Sequence, residues 1–171
     1  MNAQNKHARE KKAEIWEILG DVLDPEVPAI SVVDLGIIRN VDVSDEGKVC
    51  ISVTPTYTGC PATALINEVI KSAVEVAGYA DVSLKQVLSP AWTTDWISEE
   101  GREKLRAYGI APPVGKAGTG KAALFGVSTQ VDCPQCGSSN TEQISEFGST
   151  ACKAMYRCLS CAEPFEYFKC I

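Results

Sequence analysis

The chain has 171 residues, of which 45% are hydrophobic and 22% are charged, a composition typical of globular proteins. This length accommodates one ordinary domain and one small domain. The formal net charge of −6 repels a phosphate backbone and therefore disfavours nucleic acid as a partner. The first twelve residues lack the apolar segment of a secretory signal, and no apolar run is long enough to cross a membrane. We therefore expect a cytoplasmic protein.

The first 110 residues predict an α/β (α+β) domain, in which helices pack on a small mixed sheet. Residues 1–8 are expected to form a flexible tail, and the domain itself is expected to span residues 9–110. Apolar spacing and turn residues predict these elements in chain order: a helix over 10–23, strands over 37–43 and 48–54, a helix over 61–77, a strand over 81–88 and a short helix capped by Ser98. Because a helix connects the second and third strands, we expect them to be parallel.

A linker is predicted at residues 111–120, which contain three glycines and two prolines and have almost no apolar bulk. Residues 121–171 are then expected to form a separate all-β domain. Its predicted strands are 122–129, 141–147, 154–157 and 164–168.

Two Cys-x-x-Cys motifs lie in this last segment and are separated by 21 residues. Tight turns of this kind bring four thiolates to one tetrahedral metal, so the spacing predicts a zinc ribbon. The predicted ligands are Cys133, Cys136, Cys158 and Cys161. A site made only of sulfur is closed and therefore structural. Iron or an iron–sulfur cluster is the alternative to Zn²⁺, and disulfides or unligated core cysteines are the alternatives to a metal.

Two further cysteines of the same segment, Cys152 and Cys170, are additional candidate sulfur ligands. The simpler interpretation is that each is a small buried hydrophobic residue, which is the commoner state of an unpaired cysteine. The sequence also suggests that the cations Lys153, Arg157 and Lys169 offset the negative charge of a zinc tetrathiolate.

Cys60 is the candidate reactive thiol of the first domain. Gly59-Cys60-Pro61 predicts that Cys60 occupies the N-cap of the long helix, where free amides and the helix dipole favour a thiolate. Thr56 and Thr58 could add hydroxyl donors. The arrangement suits a reactive thiol or a transient metal ligand, and the alternative is a purely structural cap.

Three acidic residues, Asp24, Glu26 and Asp34, gather in the loops after the first helix. Loop acids usually cap turns or face solvent, and the alternative is that these flank Cys60 and share in binding a metal or a partner. The only histidine, His7, lies in the predicted tail, so no Cys–His pair is available elsewhere. This argues against a hydrolase or a thiol protease.

Three segments, 24–28, 33–38 and 54–61, resemble in that order the SufT-like domain of iron–sulfur maturation factors. This resemblance covers about residues 9–110. With the cysteine-rich ribbon added, the whole chain resembles the D-subunit (PaaD/PaaJ) family of the phenylacetyl-CoA ring 1,2-epoxidase system. The resemblance implies a role in bacterial aerobic phenylacetate catabolism, with Cys60 as the functional thiol and Asp24, Glu26 and Asp34 as the motif acids.

The resemblance further implies a non-catalytic accessory factor that helps to mature or assemble an iron–sulfur or di-iron centre in a partner. The partners implied are the di-iron oxygenase subunit and the iron–sulfur reductase subunit, and a homodimer stays open. In this hypothesis Cys60 transiently holds iron, a cluster or a partner thiolate, and the ribbon docks onto the client. The alternatives are a thiol-dependent redox or acyl-transfer enzyme that uses Cys60, and a nucleic-acid-binding ribbon.

Overall fold

A computed structural model of the chain describes residues 3–57, 59–114 and 130–169. The chain forms two compact units, which comprise residues 1–92 and 93–171. This division precedes the linker predicted at 111–120, and the predicted strand 122–129 lies outside the described residues. None of the helices in the described ranges combines the length and the hydropathy needed to cross a bilayer.

The first helix, α1, spans Ala3–Gly20 and therefore begins inside the segment predicted to be a flexible tail. Its apolar side chains Ile15 and Leu19 are fully buried, as the apolar spacing predicted. The helix ends earlier than Leu23 because Leu23 forms an isolated antiparallel bridge with Ser31. The chain therefore enters its acidic loop sooner than the periodicity alone indicates.

A three-stranded mixed sheet forms the centre of the first unit. Strand β1 (Ile38–Val43) is antiparallel to β2 (Val49–Val53), which is parallel to β3 (Val82–Gln86). The helix α2 (Thr63–Val76) connects β2 to β3, so the predicted parallel crossover and the predicted mixed fold are confirmed. Along β2, Val49, Ile51 and Val53 are buried and alternate with half-buried residues.

The buried face of α2 is narrower than the sequence predicts. Ile66, Ile70 and Val74 are buried, whereas Leu65 and Val69 are 49% and 37% exposed. The helix begins at Thr63 and not at residue 61, because the preceding residues form a turn in which the N–H of Thr63 donates to the carbonyl of Cys60. This turn sets the position of Cys60 relative to the sheet.

The second unit combines a helix with a four-stranded sheet. Helix α3 (Glu99–Tyr108) is capped by Ser98, whose Oγ accepts the N–H of Gly101 as predicted. The strands are β4 (Ile110–Ala111), β5 (Thr141–Ser145), β6 (Lys153–Cys158) and β7 (Pro164–Phe168), in the spatial order β4-β7-β6-β5.

Strand β4 explains why the division falls before α3. Ile110 and Ala111 pair in parallel with Glu166 and Tyr167 of β7, so the end of the expected first domain is the edge strand of the ribbon sheet. The unit that contains the ribbon therefore also includes α3, which directly precedes β4. Its core consists of apolar and sulfur side chains, namely Ala111, Val131, Cys133, Ala154, Tyr156, Cys158, Phe165 and Tyr167.

Candidate metal centre and the Cys60 loop

Two tight turns place the four knuckle cysteines. In the first turn the N–H of Gly137 donates to the carbonyl of Cys133, and Gly137 has a positive φ of 72°. In the second, Cys158 is the last residue of β6, and Ala162 has a positive φ of 64°. The residue directly after each Cys-x-x-Cys motif is thus in the left-handed region, which closes both turns in the same way.

The four sulfur atoms form a cluster of metal-site dimensions. All four Sγ atoms lie within 4.8 Å of one another. The Sγ atoms of Cys133 and Cys161 are 3.8 Å apart, and those of Cys136 and Cys158 are 3.6 Å apart. A Zn–S bond of about 2.3 Å gives a tetrahedral S···S edge of about 3.8 Å, so the arrangement fits Zn²⁺. The fold thus brings the four predicted cysteines together at the spacing that a zinc ribbon requires.

The cluster is sheltered on one side and open on the other. Cys133 and Cys158 are buried, whereas Cys136 and Cys161 are exposed. The backbone N–H of Cys161 lowers the pKa of Cys158 to about 6, although burial raises it. The backbone N–H of Glu163 lowers the pKa of Cys161, but the neighbouring sulfur atoms outweigh it and raise that pKa to about 12. Four thiolates at this spacing therefore need a cation to hold them together.

Side-chain and backbone hydrogen bonds join the two knuckles independently of the metal. The hydroxyls of Ser138 and Ser160 are 2.8 Å apart, and the N–H of Leu159 donates to the carbonyl of Asn140 at 2.9 Å. These contacts link the loop before β5 to the loop after β6. These hydrogen bonds therefore hold the two knuckles side by side in addition to any bound ion.

Of the two surplus cysteines, Cys152 does not join this cluster. Cys152 is buried just before β6, whereas Cys158 ends the strand, and the Cys152 Sγ lies 3.0 Å from the hydroxyl of Thr150. Cys170 lies outside the described residues. The candidate metal ligands within the described ranges are therefore the four knuckle cysteines.

Cys60 is half-buried in the loop between β2 and α2. The N-cap of α2 is Ala62 and not Cys60 as predicted, because Cys60 belongs to the turn that precedes the helix. Gly59 has a positive φ of 93°, which favours glycine at that position. Cys60 borders a cavity of about 20 Å³, enough for one water molecule, and the other lining residues are Leu35, Ile37, Val53, Pro55, Thr56, Thr63, Ile66 and Asn67. Thr58 lies outside the described residues.

The motif acids Asp24 and Asp34 form hydrogen bonds within their own loop. Oδ1 of Asp24 accepts the N–H groups of Glu26 and Val27 at 2.7 and 2.9 Å. Oδ2 of Asp34 accepts the hydroxyl of Ser31 at 2.9 Å. Asp24, Glu26 and Asp34 do not line the Cys60 cavity, although Leu35, the neighbour of Asp34, does. Leu35 is in turn anchored by its carbonyl, which accepts the indole N–H of Trp92.

Asn67, which lines the cavity beside Cys60, and Thr54, which follows β2, are polar residues that the sequence reasoning missed. Oδ1 of Asn67 and Oγ1 of Thr54 are buried and have no hydrogen-bond partner among the described residues. Asn67 follows Ile66 and lies one turn before Ile70 on the buried side of α2. A polar residue beside the buried stripe of an amphipathic helix is the signal that could have identified it.

Comparisons with known proteins agree with this two-part organisation. Residues 12–85 match the family model described as an iron–sulfur cluster assembly protein, and residues 117–169 match the model described as the PaaD zinc beta ribbon domain. A crystal structure of a domain of unknown function, DUF59, from Bacillus anthracis covers 59% of this chain and 96% of its own, with a TM-score of 0.55 and 22% identity. At that identity the match establishes the fold alone.

Two curated relatives extend the match. The "Fe-S protein maturation auxiliary factor" of Porphyromonas gingivalis (strain ATCC BAA-308 / W83) is 37% identical over 59% of this chain and 96% of its own. The D-subunit of the "Putative 1,2-phenylacetyl-CoA epoxidase" of Escherichia coli (strain K12) is 50% identical over 92% of both chains. Because that identity spans nearly the whole length, the chain belongs to the D-subunit family of the 1,2-phenylacetyl-CoA epoxidases.

Proposed function

We propose that this protein is an accessory assembly factor for a phenylacetyl-CoA ring 1,2-epoxidase and helps a partner subunit acquire an iron-containing centre. The relative that is 50% identical supports the epoxidase system, and the relative named as a maturation auxiliary factor supports the assembly role. The clients in this proposal are the di-iron oxygenase subunit or the iron–sulfur reductase subunit.

The observation that carries the proposal is a half-buried thiol beside a cavity that offers no acid or base. Cys60 borders that cavity, and its lining contains no histidine, aspartate or glutamate among the described residues. A nucleophilic thiol enzyme needs a base to activate the thiol and a group to orient that base. A thiol that holds iron or a cluster in transit needs neither, so the geometry favours a carrier role over the thiol-enzyme alternative.

In this proposal the two units have different roles, with the ribbon binding the client and the first unit holding the cargo. The four-sulfur site has the dimensions of a Zn²⁺ site and no open coordination position for a substrate, which is the arrangement of a structural metal. When bound there, Zn²⁺ supplies the cross-link that stabilises the ribbon sheet. The ribbon is then the docking module for the client, and Cys60 is the residue that touches the cargo.

The test replaces Cys60 in a strain whose own copy of this gene is deleted. We expect Cys60→Ser to leave the iron content of the purified client subunit, and its epoxidation activity, at the level of the deletion strain. The matched control is Cys50→Ser, because Cys50 is also half-buried but lies near the start of β2 and does not line the cavity. Client iron at the wild-type level in the Cys60→Ser strain would refute the carrier role.

A further inference from the structure

A second cavity of about 220 Å³ adjoins the small one beside Cys60. The two share Val53, Pro55, Thr63 and Asn67, and the larger one is completed by Leu84, Lys85 and Gln86. It lies where the parallel strands β2 and β3 end and α2 begins. The carboxyl ends of parallel strands are the usual ligand-binding edge of an open α/β sheet. The thiol therefore stands at one end of a larger recess.

Among the described residues, Lys85 is the one charged residue that lines this recess, and it is exposed to solvent. Lys85 lines it and forms no ion pair within the part of the chain that the structure describes. Neither cavity has an aspartate, a glutamate or a histidine among its lining residues. The carboxylate of Asp34, next in sequence to the lining residue Leu35, is buried and bonded to Ser31. An anion entering the recess meets one ammonium group and no carboxylate from its walls.

Two buried polar atoms at this edge are left without partners. Oδ1 of Asn67 is buried and unpartnered among the described residues, and Asn67 lines both cavities. Thr54, which is 1% exposed, has an unpartnered Oγ1 and stands between the lining residues Val53 and Pro55. Buried polar groups are almost always hydrogen-bonded, so the Asn67 oxygen indicates that a water molecule or another hydrogen-bond donor completes this edge of the site.

We propose that the two cavities form one binding site for an anionic cargo, in which Cys60 is the ligand and Lys85 and Asn67 form the wall that recognises negative charge. The proposal rests on the proposed function and specifies the form of the cargo, namely iron already bound to sulfide or thiolate and carrying net negative charge. Bare Fe²⁺ is disfavoured, because the recess lacks carboxylates and imidazoles and Lys85 repels a cation. Toward an anionic cargo the carboxamide of Asn67 must present its NH₂ group, because its oxygen only accepts hydrogen bonds.

The test compares the alkylation of Cys60 by anionic iodoacetate and by neutral iodoacetamide, measured on the full zinc-loaded protein by peptide mass spectrometry. Both reagents attack the thiolate, so the ratio of their rates reports the local potential and not the thiolate population. We expect Lys85→Glu to lower the iodoacetate-to-iodoacetamide ratio roughly threefold or more. The control is Lys48→Glu, in the β1–β2 turn at the other end of β2, where Lys48 is exposed and paired with Glu46.

An unchanged ratio in Lys85→Glu, with fold and zinc content intact, overturns the proposal. Asn67→Asp places a carboxylate in the wall and should lower the ratio as Lys85→Glu does. In a second assay, iron is supplied to the purified protein as Fe²⁺ with sulfide or as Fe²⁺ alone. Lys85→Glu should weaken retention of the iron–sulfide species, and wild-type protein that retains Fe²⁺ alone equally well also overturns the proposal.

The proposed function fails by a different result. Client iron at the wild-type level in the Cys60→Ser strain would refute the carrier role. It would not change the effect of Lys85→Glu on the iodoacetate-to-iodoacetamide ratio. Conversely, an alkylation ratio that does not change in Lys85→Glu would refute the anion-binding wall. It would not change the requirement for Cys60 in the client assay. The two measurements therefore separate the charge of the recess from its use.

Discussion

Lys153 and Glu166 form an ion pair in the ribbon sheet, with 2.8 Å between Nζ and Oε2, and the lysine side chain is only 3% exposed. They lie on the neighbouring strands β6 and β7, where Glu166 pairs directly with Met155 and is thus diagonal to Lys153. The sequence suggested that Lys153 offsets the charge of the zinc sulfurs. That expectation is wrong, because roughly 16 Å of extended strand separate Lys153 from Cys158.

We predict that Glu166→Gln destabilises the second unit by about 2 kcal/mol at neutral pH, because it leaves a buried ammonium unpaired. Burial raises the pKa of Glu166, but Lys153 and the N–H of Ser149 outweigh burial and lower it below the ordinary 4.5. The pair therefore stabilises the fold above pH 4.5, and this contribution is lost as the pH falls through the lowered pKa.

Thermal unfolding of wild type and Glu166→Gln at a series of pH values checks this. The difference in stability should be largest near pH 7 and should shrink in acid. Glu163→Gln is the matched control, since Glu163 is exposed and has no ion pair among the described residues. A difference that stays constant down to strong acid would contradict the assigned charge state.

Removal of one knuckle sulfur should cost the protein its metal. We expect Cys136→Ser to lower the bound zinc from one equivalent to near zero and to abolish cooperative unfolding of the ribbon, because the metal cross-links two otherwise short loops. Cys152→Ala should keep its zinc, since Cys152 is hydrogen-bonded to the hydroxyl of Thr150 and lies outside the sulfur cluster. Zinc content by elemental analysis distinguishes the two variants, and zinc loss in Cys152→Ala would place that residue in the site.

Asp24→Ala should destabilise the first unit by about 1 kcal/mol, a typical cost of losing a side-chain cap. The carboxylate of Asp24 accepts the N–H groups of Glu26 and Val27, and Asp24→Asn retains an acceptor and should cost less. Both free energies can be measured by urea unfolding, followed together with metal content. If Asp24→Ala lowered the iron retained by the protein while leaving its stability unchanged, the motif acid would be a ligand and not a cap.

The turn after the second knuckle should tolerate glycine better than alanine. Ala162 has a φ of 64°, a left-handed conformation that disfavours a Cβ, and Gly137 occupies the matching position of the first knuckle. We expect Ala162→Gly to stabilise the ribbon by about 0.5 kcal/mol. The substitution relieves the strain of the left-handed conformation, but glycine also raises the conformational entropy of the unfolded chain, which offsets part of that gain.

Gly137→Ala is the reciprocal variant and should destabilise the ribbon by about 1 kcal/mol. A Cβ at Gly137 would meet no atom within 4 Å, so its effect isolates the backbone. The midpoint of thermal unfolding with zinc bound checks both variants. Opposite signs are expected, and equal destabilisation by both substitutions would contradict the backbone explanation.

Local patterns in the sequence were sufficient for several features. The alternation in β2, the cap at Ser98 and the four knuckle cysteines were all predicted, because each depends on neighbours a few residues apart. Residue periodicity, capping chemistry and ligand spacing are properties of short segments, and they survive in any fold that contains those segments.

The remaining features depended on contacts between residues distant in the chain. Pairing of Ile110 with Glu166 moved the division between the units, and no local pattern identifies a strand of two residues. The carboxylate of Asp24 accepts a hydrogen bond within its own loop. The parallel pairing of β2 with β3 places Lys85 at the recess beside Cys60. The sequence alone identified candidate side chains, among them the four knuckle cysteines and Cys60, but neither Asn67 nor Lys85. The tertiary structure decided which of them meet, because strand pairing and burial join residues that no local period connects.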